Sequence, residues 1–148
     1  MRIVSLLPSA TEIVCALGAQ NELVGVSHEC TYPAAARKKP VVSTSVIDPE
    51  RMSSAEIDRA VVAAAKAGKS LYRIDRDLVR RLKPDFLRTQ SLCEVCATSP
   101  SDLREVLQLV KPKPQVLALH AHDFEGMFAD LRELGEFLGK DARPLEKT

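Results

Sequence analysis

The chain opens with Arg2-Ile-Val-Ser-Leu-Leu-Pro-Ser-Ala-Thr-Glu12, a stretch that joins an apolar run to a helix start. The run from Ile3 to Leu7 has the length and composition of a buried strand. Ser9 and Glu12 have the spacing of a capping box, in which a hydroxyl and a carboxylate satisfy the first free amides of a helix. Gly18 is the predicted end of that helix, because glycine accepts the left-handed conformation that helix termini use. The opening stretch therefore predicts a β-α unit.

The same alternation continues along the chain. Further strands are predicted at 23–27, 41–44, 71–74, 85–90 and 115–119, and helices at 53–68, 75–82, 99–110 and 124–138. Parallel neighbours need a right-handed crossover, so this order predicts a doubly wound α/β lobe: a single Rossmann-like unit whose mostly parallel sheet has helices on both faces. We expect this lobe to span residues 1–139 and residues 140–148 to be a disordered tail.

The overall composition excludes several classes of partner. At 148 residues, with 45% hydrophobic residues and a formal net charge of +1, the chain has the composition of one soluble domain and no field that would favour nucleic acid or an anionic membrane. No apolar run has the length of a membrane span, and the N-terminal run lacks the flanks of a signal peptide. On these grounds alone a cytoplasmic location is possible.

Ligand chemistry is expected at one edge of the sheet, because every loop that leaves the carboxyl end of a parallel strand opens there. These loops hold all three histidines and three of the four cysteines, whereas Cys15 falls on an apolar helix face. No nucleophile, base and orienting acid occur together, and no glycine-rich phosphate loop follows the first strand, so the sequence argues against an enzyme. The candidate ligand-binding residues are Ser9, Ala10, Thr11, His28, Glu29, Tyr32, Thr44, Gln90, Leu92, Glu94 and His122.

The chain resembles the periplasmic-binding-protein family of the cobalamin and siderophore type, and in particular its cobalamin-binding branch. The residues that carry the resemblance are the opening stretch, Leu23-Val-Gly-Val-Ser-His-Glu-Cys30 with Tyr32-Pro33, Gln90 to Cys96, and Ser99-Pro100-Ser101. The resemblance runs from Arg2 to about Gly139. It implies the amino-terminal lobe of a two-lobed binder that works outside the cytoplasm, holds its ligand in the cleft between the lobes and delivers it to an ABC permease.

The resemblance also assigns a docking residue and shows where the chain departs from the family. The family's acidic residue for docking on the permease falls on Asp77. Thr31, Arg88 and the pair His120-Ala121 differ from the residues that the family often has at these positions. These departures leave the identity of the cargo open.

A thiol and imidazole metal-binding domain, located in the cytoplasm, is the alternative function. His28, Cys30, Cys93 and Cys96 have the ligand types and the number that a zinc site uses. Cys93 and Cys96 also have the spacing of a redox dithiol, of a local structural pair or of a loop disulfide. These possibilities stay open, because a metal site also requires the two loops to be adjacent in space.

Two further side chains have alternative interpretations. Tyr32 is either a ring stacked on a flat macrocycle or an anchor of its loop. His122, beside Asp123 at a helix start, is either a solvated imidazole or a ligand to the cobalt or iron of the cargo. Glu29 and Glu94 are expected to be solvated. The leading hypothesis is a binding module without an intrinsic cofactor, whose partners are cobalamin or a related chelate, the permease, and a second copy at the cleft edge.

Overall fold

The computed structural model describes residues 1–67, 69–90, 100–119 and 123–145. The helices of the described part are α1 (Pro8–Ala16), α2 (Ser54–Lys66), α3 (Arg76–Leu82), α4 (Pro100–Leu109) and α5 (Phe124–Leu138). Its strands are β1 (Ile3–Ser5), β2 (Leu23–Val26), β3 (Ser43–Ser45), β4 (Tyr72–Ile74), β5 (Phe86–Gln90) and β6 (Gln115–Leu119).

The main sheet is parallel throughout, with the strand order β2-β1-β5-β6. On one face, Ile3 and Leu23 pack in a buried cluster with residues of α1 and α5. On the other face, Val4 and Leu87 pack with residues of α3 and α4. Alternate residues of a strand point to opposite faces, so β1 contributes to both clusters. The predicted doubly wound lobe with helices on both faces is confirmed.

Strands β3 and β4 leave the main sheet and pair antiparallel in a small sheet of their own. The segment before β3 still touches the main sheet, through a parallel bridge between Val26 and Val41. Val42 is buried over Gly25, where an added Cβ would lie 2.8 Å from the Val42 Cγ1 atom. The sequence predicted both strands but not this separate pairing, which depends on contacts between distant residues.

Capping side chains mark the beginning of α2 and α3. At the start of α2, the Ser53 amide donates to the Glu56 carboxylate at 2.8 Å, as in the predicted capping box. At the start of α3, the Asp75 carboxylate accepts a hydrogen bond from the Leu78 amide at 2.8 Å. The predicted capping box at Ser9 is wrong. Helix α1 begins at Pro8, whose fixed φ suits a first helical position, so Ser9 lies inside the first turn.

The end of the described chain differs from the disordered tail that we expected. Gly139 ends α5 in the left-handed conformation, with φ of 63°. Ala142 then packs into the α1–α5 cluster and is 7% exposed, and Leu145 lies against the same cluster. The expectation is therefore wrong as far as residue 145. In the described part of the chain, none of the helices combines the length and the apolar character that crossing a membrane would require.

Candidate functional site

The loop after β2 lies at the carboxyl edge of the main sheet, where ligands were expected. The Ser27 amide donates to the Ser5 carbonyl of β1 at 2.9 Å, which extends the strand pairing one residue beyond β2. The Cys30 amide then donates to the Ser27 carbonyl at 3.1 Å and closes a turn. Backbone hydrogen bonds thus hold His28 and Glu29 at the end of the strand.

Ser43, at the start of β3, holds His28 through two contacts. The His28 amide donates to the buried Ser43 hydroxyl oxygen at 3.3 Å, and the ring Nδ1 atom lies 2.9 Å from the same oxygen. The imidazole also packs against the Tyr72 ring, with ring centroids 5.2 Å apart and the planes tilted by 44°. The position of the imidazole is therefore set by both strands of the small sheet.

Tyr72 also contacts Glu29, which the sequence suggested would be only solvated. The Tyr72 hydroxyl donates to the Glu29 Oε1 atom at 3.1 Å, although Glu29 itself is exposed. Sequence reasoning missed both Ser43 and Tyr72 as site residues. The sequence carried no signal for them, because the antiparallel pairing of β3 with β4, which places Tyr72 opposite Ser45, depends on contacts between distant residues.

The first turn of α1 packs against the carboxyl edge and contacts the loop after β2. The Thr11 hydroxyl lies 2.8 Å from the Ser5 hydroxyl and 3.1 Å from the Cys30 sulfur, and all three residues are buried. Ala10 and Thr11 are 0% exposed, because this turn packs directly on the sheet. Their side chains are therefore not accessible to a ligand, contrary to the prediction of Ala10 and Thr11 as ligand-binding residues, whereas Ser9 is exposed.

Two exposed aromatic rings lie at the carboxyl edge. Tyr32 is 65% exposed, which favours the ring-stacking interpretation over the loop anchor. Phe124, at the start of the helix that follows β6, is 79% exposed. A groove of about 700 Å³ runs along the first turns of this helix and includes Phe124 and Phe128. Thr44 is also exposed.

The predicted zinc ligands are only partly within the described residues. His28 and Cys30 lie on one turn, but the described part of the chain contains no group of three or more histidine, cysteine or acidic residues that could hold a metal. Burial raises the pKa of the Cys15 thiol, with Lys39 opposing this and Cys30 and Glu12 adding to it, so Cys15 is a poor metal ligand. Several predicted site residues lie outside the described part of the chain: Leu92, Cys93, Glu94, Cys96, His122 and the side chain of Gln90.

Arg88 and Asp77 lie away from this loop and differ in burial. Arg88 is 1% exposed in the central strand β5, and its Nε atom has no hydrogen-bond partner in the described part of the chain. Burial lowers the pKa of the Arg88 guanidinium, against the effects of Glu133 and Asp130. Asp77, the predicted docking residue, lies on α3 with its side chain 72% exposed and its Oδ1 atom 3.2 Å from Arg80.

The chain is similar to known binding proteins over most of its length. No family model matches it. It is 32% identical over 136 residues to the vitamin B12-binding protein of Vibrio cholerae, an alignment that covers 88% of this chain and 45% of that protein. The chain therefore spans less than half the length of this curated relative.

Two solved structures show the same fold. The periplasmic vitamin B12-binding protein of Vibrio cholerae matches with a TM-score of 0.63 at 21% identity, over 92% of this chain and 40% of that one. The periplasmic heme-binding protein of the same organism matches with a TM-score of 0.65 at 19% identity, over 99% of this chain and 45% of that one. At such identities the likeness concerns the fold, and each match again covers under half of the solved chain.

Proposed function

The chain belongs to the periplasmic-binding-protein family of the cobalamin and siderophore type, and from this premise we propose that it is one lobe of the solute-binding protein of an ABC importer. In this proposal the carboxyl edge of the lobe holds one side of a cobalamin or a related metal chelate, and a second lobe of a longer protein holds the other side. The lobe binds its cargo and catalyses no reaction on it. It works outside the cytoplasm, as do its solved structural neighbours, which are periplasmic proteins.

The observation that carries the proposal is the set of rings at the carboxyl edge. Only 4% of the residues are aromatic, yet the exposed ring of Tyr32 and the paired rings of His28 and Tyr72 all lie on or beside the loop after β2. Flat rings suit a flat macrocycle, because stacking buries large apolar areas with little loss of side-chain freedom. The relatives whose names mention vitamin B12 or heme bind ligands of this shape.

The remaining roles follow from position. Ser9 and Thr44 are exposed and extend the proposed contact surface on either side of the loop after β2. Gln90, which ends β5, and Leu92, Glu94 and His122, which follow β5 and β6 in the sequence, are proposed to complete this surface. Asp77 is proposed to dock on the permease, where an exposed carboxylate can pair bidentately with an arginine.

A nuclear magnetic resonance titration with cobalamin at millimolar concentration tests this proposal. We expect backbone shifts that saturate at His28, Glu29 and Tyr32, and a change in the visible absorption of the corrinoid. Residues at the amino end of the sheet, such as Glu22 and Asp85, provide the internal control. Shifts confined to that opposite end, or no shift at all, would show that the carboxyl edge does not bind the cargo.

A zinc site made of His28, Cys30, Cys93 and Cys96 remains a second proposal. It is favoured by the turn that brings His28 and Cys30 to the same edge at which β5 ends, because the loop with the other two cysteines leaves that strand. Elemental analysis of the purified protein is the test. Stoichiometric zinc that is lost in Cys30→Ala would support this site, and its absence would reject it.

A further inference from the structure

We infer that His28 and Glu29 together recognise a carboxamide group on the cargo, so that the lobe prefers a tetrapyrrole bearing amides to one bearing carboxylates. The inference rests on the proposed function and specifies its cargo. Corrinoids of the cobalamin type carry amides around the ring, whereas heme carries two propionates. The hydrogen-bonding capacity of the two side chains leads to this choice.

The first step assigns the hydrogen-bonding role of His28. The Ser43 oxygen already accepts the backbone N–H of His28, and its hydroxyl is buried. In the described part of the chain, the Nδ1 atom of His28 is the only acceptor within reach of the Ser43 proton. If Nδ1 carried a proton, the Ser43 proton would be buried without an acceptor, which is unfavourable because a buried donor without a partner loses its hydrogen bonds to water. We therefore assign the ring proton to Nε2.

In the absence of a metal ion, this assignment makes Nε2 of His28 a hydrogen-bond donor. A neutral imidazole has one donor nitrogen and one acceptor nitrogen, and Ser43 uses the acceptor. The ring is only partly buried, and Nε2 has no partner among the described residues. The Nε2–H group is therefore available to donate a hydrogen bond to an oxygen atom of the cargo.

Glu29 supplies the complementary acceptor. Its Oε1 atom accepts the Tyr72 hydroxyl, while its other oxygen is without a partner in the residues that the structure describes. His28 and Glu29 are adjacent in sequence and contact the same tyrosine, so the donor and the acceptor lie side by side. Tyr72 acts as a positioning residue for both.

A carboxamide satisfies this pair and a carboxylate does not. The amide carbonyl accepts from His28 and the amide N–H₂ donates to Glu29, so both protein groups keep a partner. A carboxylate has no donor, and its charge would lie beside that of Glu29. Such unfavourable pairing against the wrong ligand is a common source of specificity.

The test compares two corrinoids that differ in these groups. Cobinamide carries the peripheral amides, and cobyrinic acid carries carboxylates in their place. The affinities of both corrinoids are measured by magnetic resonance titration for the wild type and for Glu29→Gln. The control variant is Glu22→Gln, which makes the same charge change beside the amino end of β2. We expect the preference for cobinamide to fall by about three- to fivefold in Glu29→Gln, as for an exposed charge pair, and to be unchanged in the control.

A second measurement examines the donor assignment without any cargo. Nitrogen-15 spectra of the His28 ring should show a protonated Nε2 and an unprotonated Nδ1 at neutral pH, and Ser43→Ala should remove this preference. A protonated Nδ1 would overturn the inference. An unchanged preference in Glu29→Gln would overturn it while leaving the proposed function intact. If neither corrinoid shifts the carboxyl edge, the proposed function and this inference fail together.

Discussion

The Thr11 hydroxyl lies 3.1 Å from the Cys30 sulfur, and this contact joins the first turn of α1 to the loop that carries His28. The same hydroxyl lies 2.8 Å from that of Ser5 at the end of β1. Three segments that are distant in the sequence therefore meet through buried polar atoms under the carboxyl edge. Buried polar groups of this kind are costly when left unpaired, which makes the contact a determinant of the local structure.

Thr11→Val should destabilise the fold while keeping the shape of the side chain. Valine removes the hydroxyl and leaves the Ser5 oxygen and the Cys30 thiol without this partner. We expect a loss of about 1–2 kcal/mol in the free energy of unfolding, measured with urea. Thr44→Val, at an exposed position, is the matched control and should change the free energy by less than about 0.5 kcal/mol. Equal effects would show that the buried contacts contribute nothing.

Gly25→Ala should also be destabilising, because β2 and Val42 approach closely at this glycine. An added Cβ would lie 2.8 Å from the Val42 Cγ1 atom and 2.9 Å from the Leu82 Cδ1 atom. Overpacking of this kind costs about 1–3 kcal/mol. Val42→Ala removes one of the two clashing atoms, so the double variant should lose less stability than the sum of the single variants by at least about 0.5 kcal/mol. Simple additivity would contradict the proposed clash.

The sequence predicted best those features that depend on local residues. The bounds of α5 and the capping box of Ser53 and Glu56 follow from neighbouring residues, and both are confirmed. The position of Tyr72 beside His28 was not predictable in this way, because it depends on the pairing of β3 with β4 across an intervening helix. The predicted capping box at Ser9 is wrong because Pro8, one residue earlier, is the first residue of the helix.

The capping box at α2 should be visible in the titration of Glu56. Hydrogen bonds from the Ser53 side chain and then from its backbone lower the pKa of the Glu56 carboxyl below its ordinary value. A depressed pKa in the folded state stabilises the helix above the ordinary pKa, and this stabilisation is lost as the pH falls through the folded value. Ser53→Ala should raise the Glu56 pKa in a magnetic resonance titration, whereas Ser54→Ala, at the next position, should not. A wild-type pKa at the ordinary value would contradict the capping box.

Asp77→Asn should weaken docking on the permease without affecting cargo binding. Asp77 is exposed on α3, and its surface pair with Arg80 is worth little to the fold. In a two-lobed version of the protein, as proposed above, we expect about a fivefold loss in affinity for the permease, the size of one exposed charge pair. Asp58→Asn on α2 removes the same charge from another exposed position and is the control. Equal losses in both variants would reject a specific role for Asp77.

The lobe by itself should bind cobalamin only weakly. Small-molecule sites usually bury most of the surface of the ligand, and a single lobe contacts about half of it. If the two lobes contributed equally to a nanomolar site, worth about 12 kcal/mol, one lobe would retain about 6 kcal/mol while losing much the same translational and rotational freedom on binding. We therefore expect a dissociation constant near the millimolar range for the lobe alone, and self-association at high concentration through exposed rings such as Tyr32 and Phe124. Titration calorimetry, combined with sedimentation to establish the oligomeric state, measures both quantities. Submicromolar binding by the monomeric lobe would show that a second lobe is not needed, and the account of the site as half of a cleft would then be wrong.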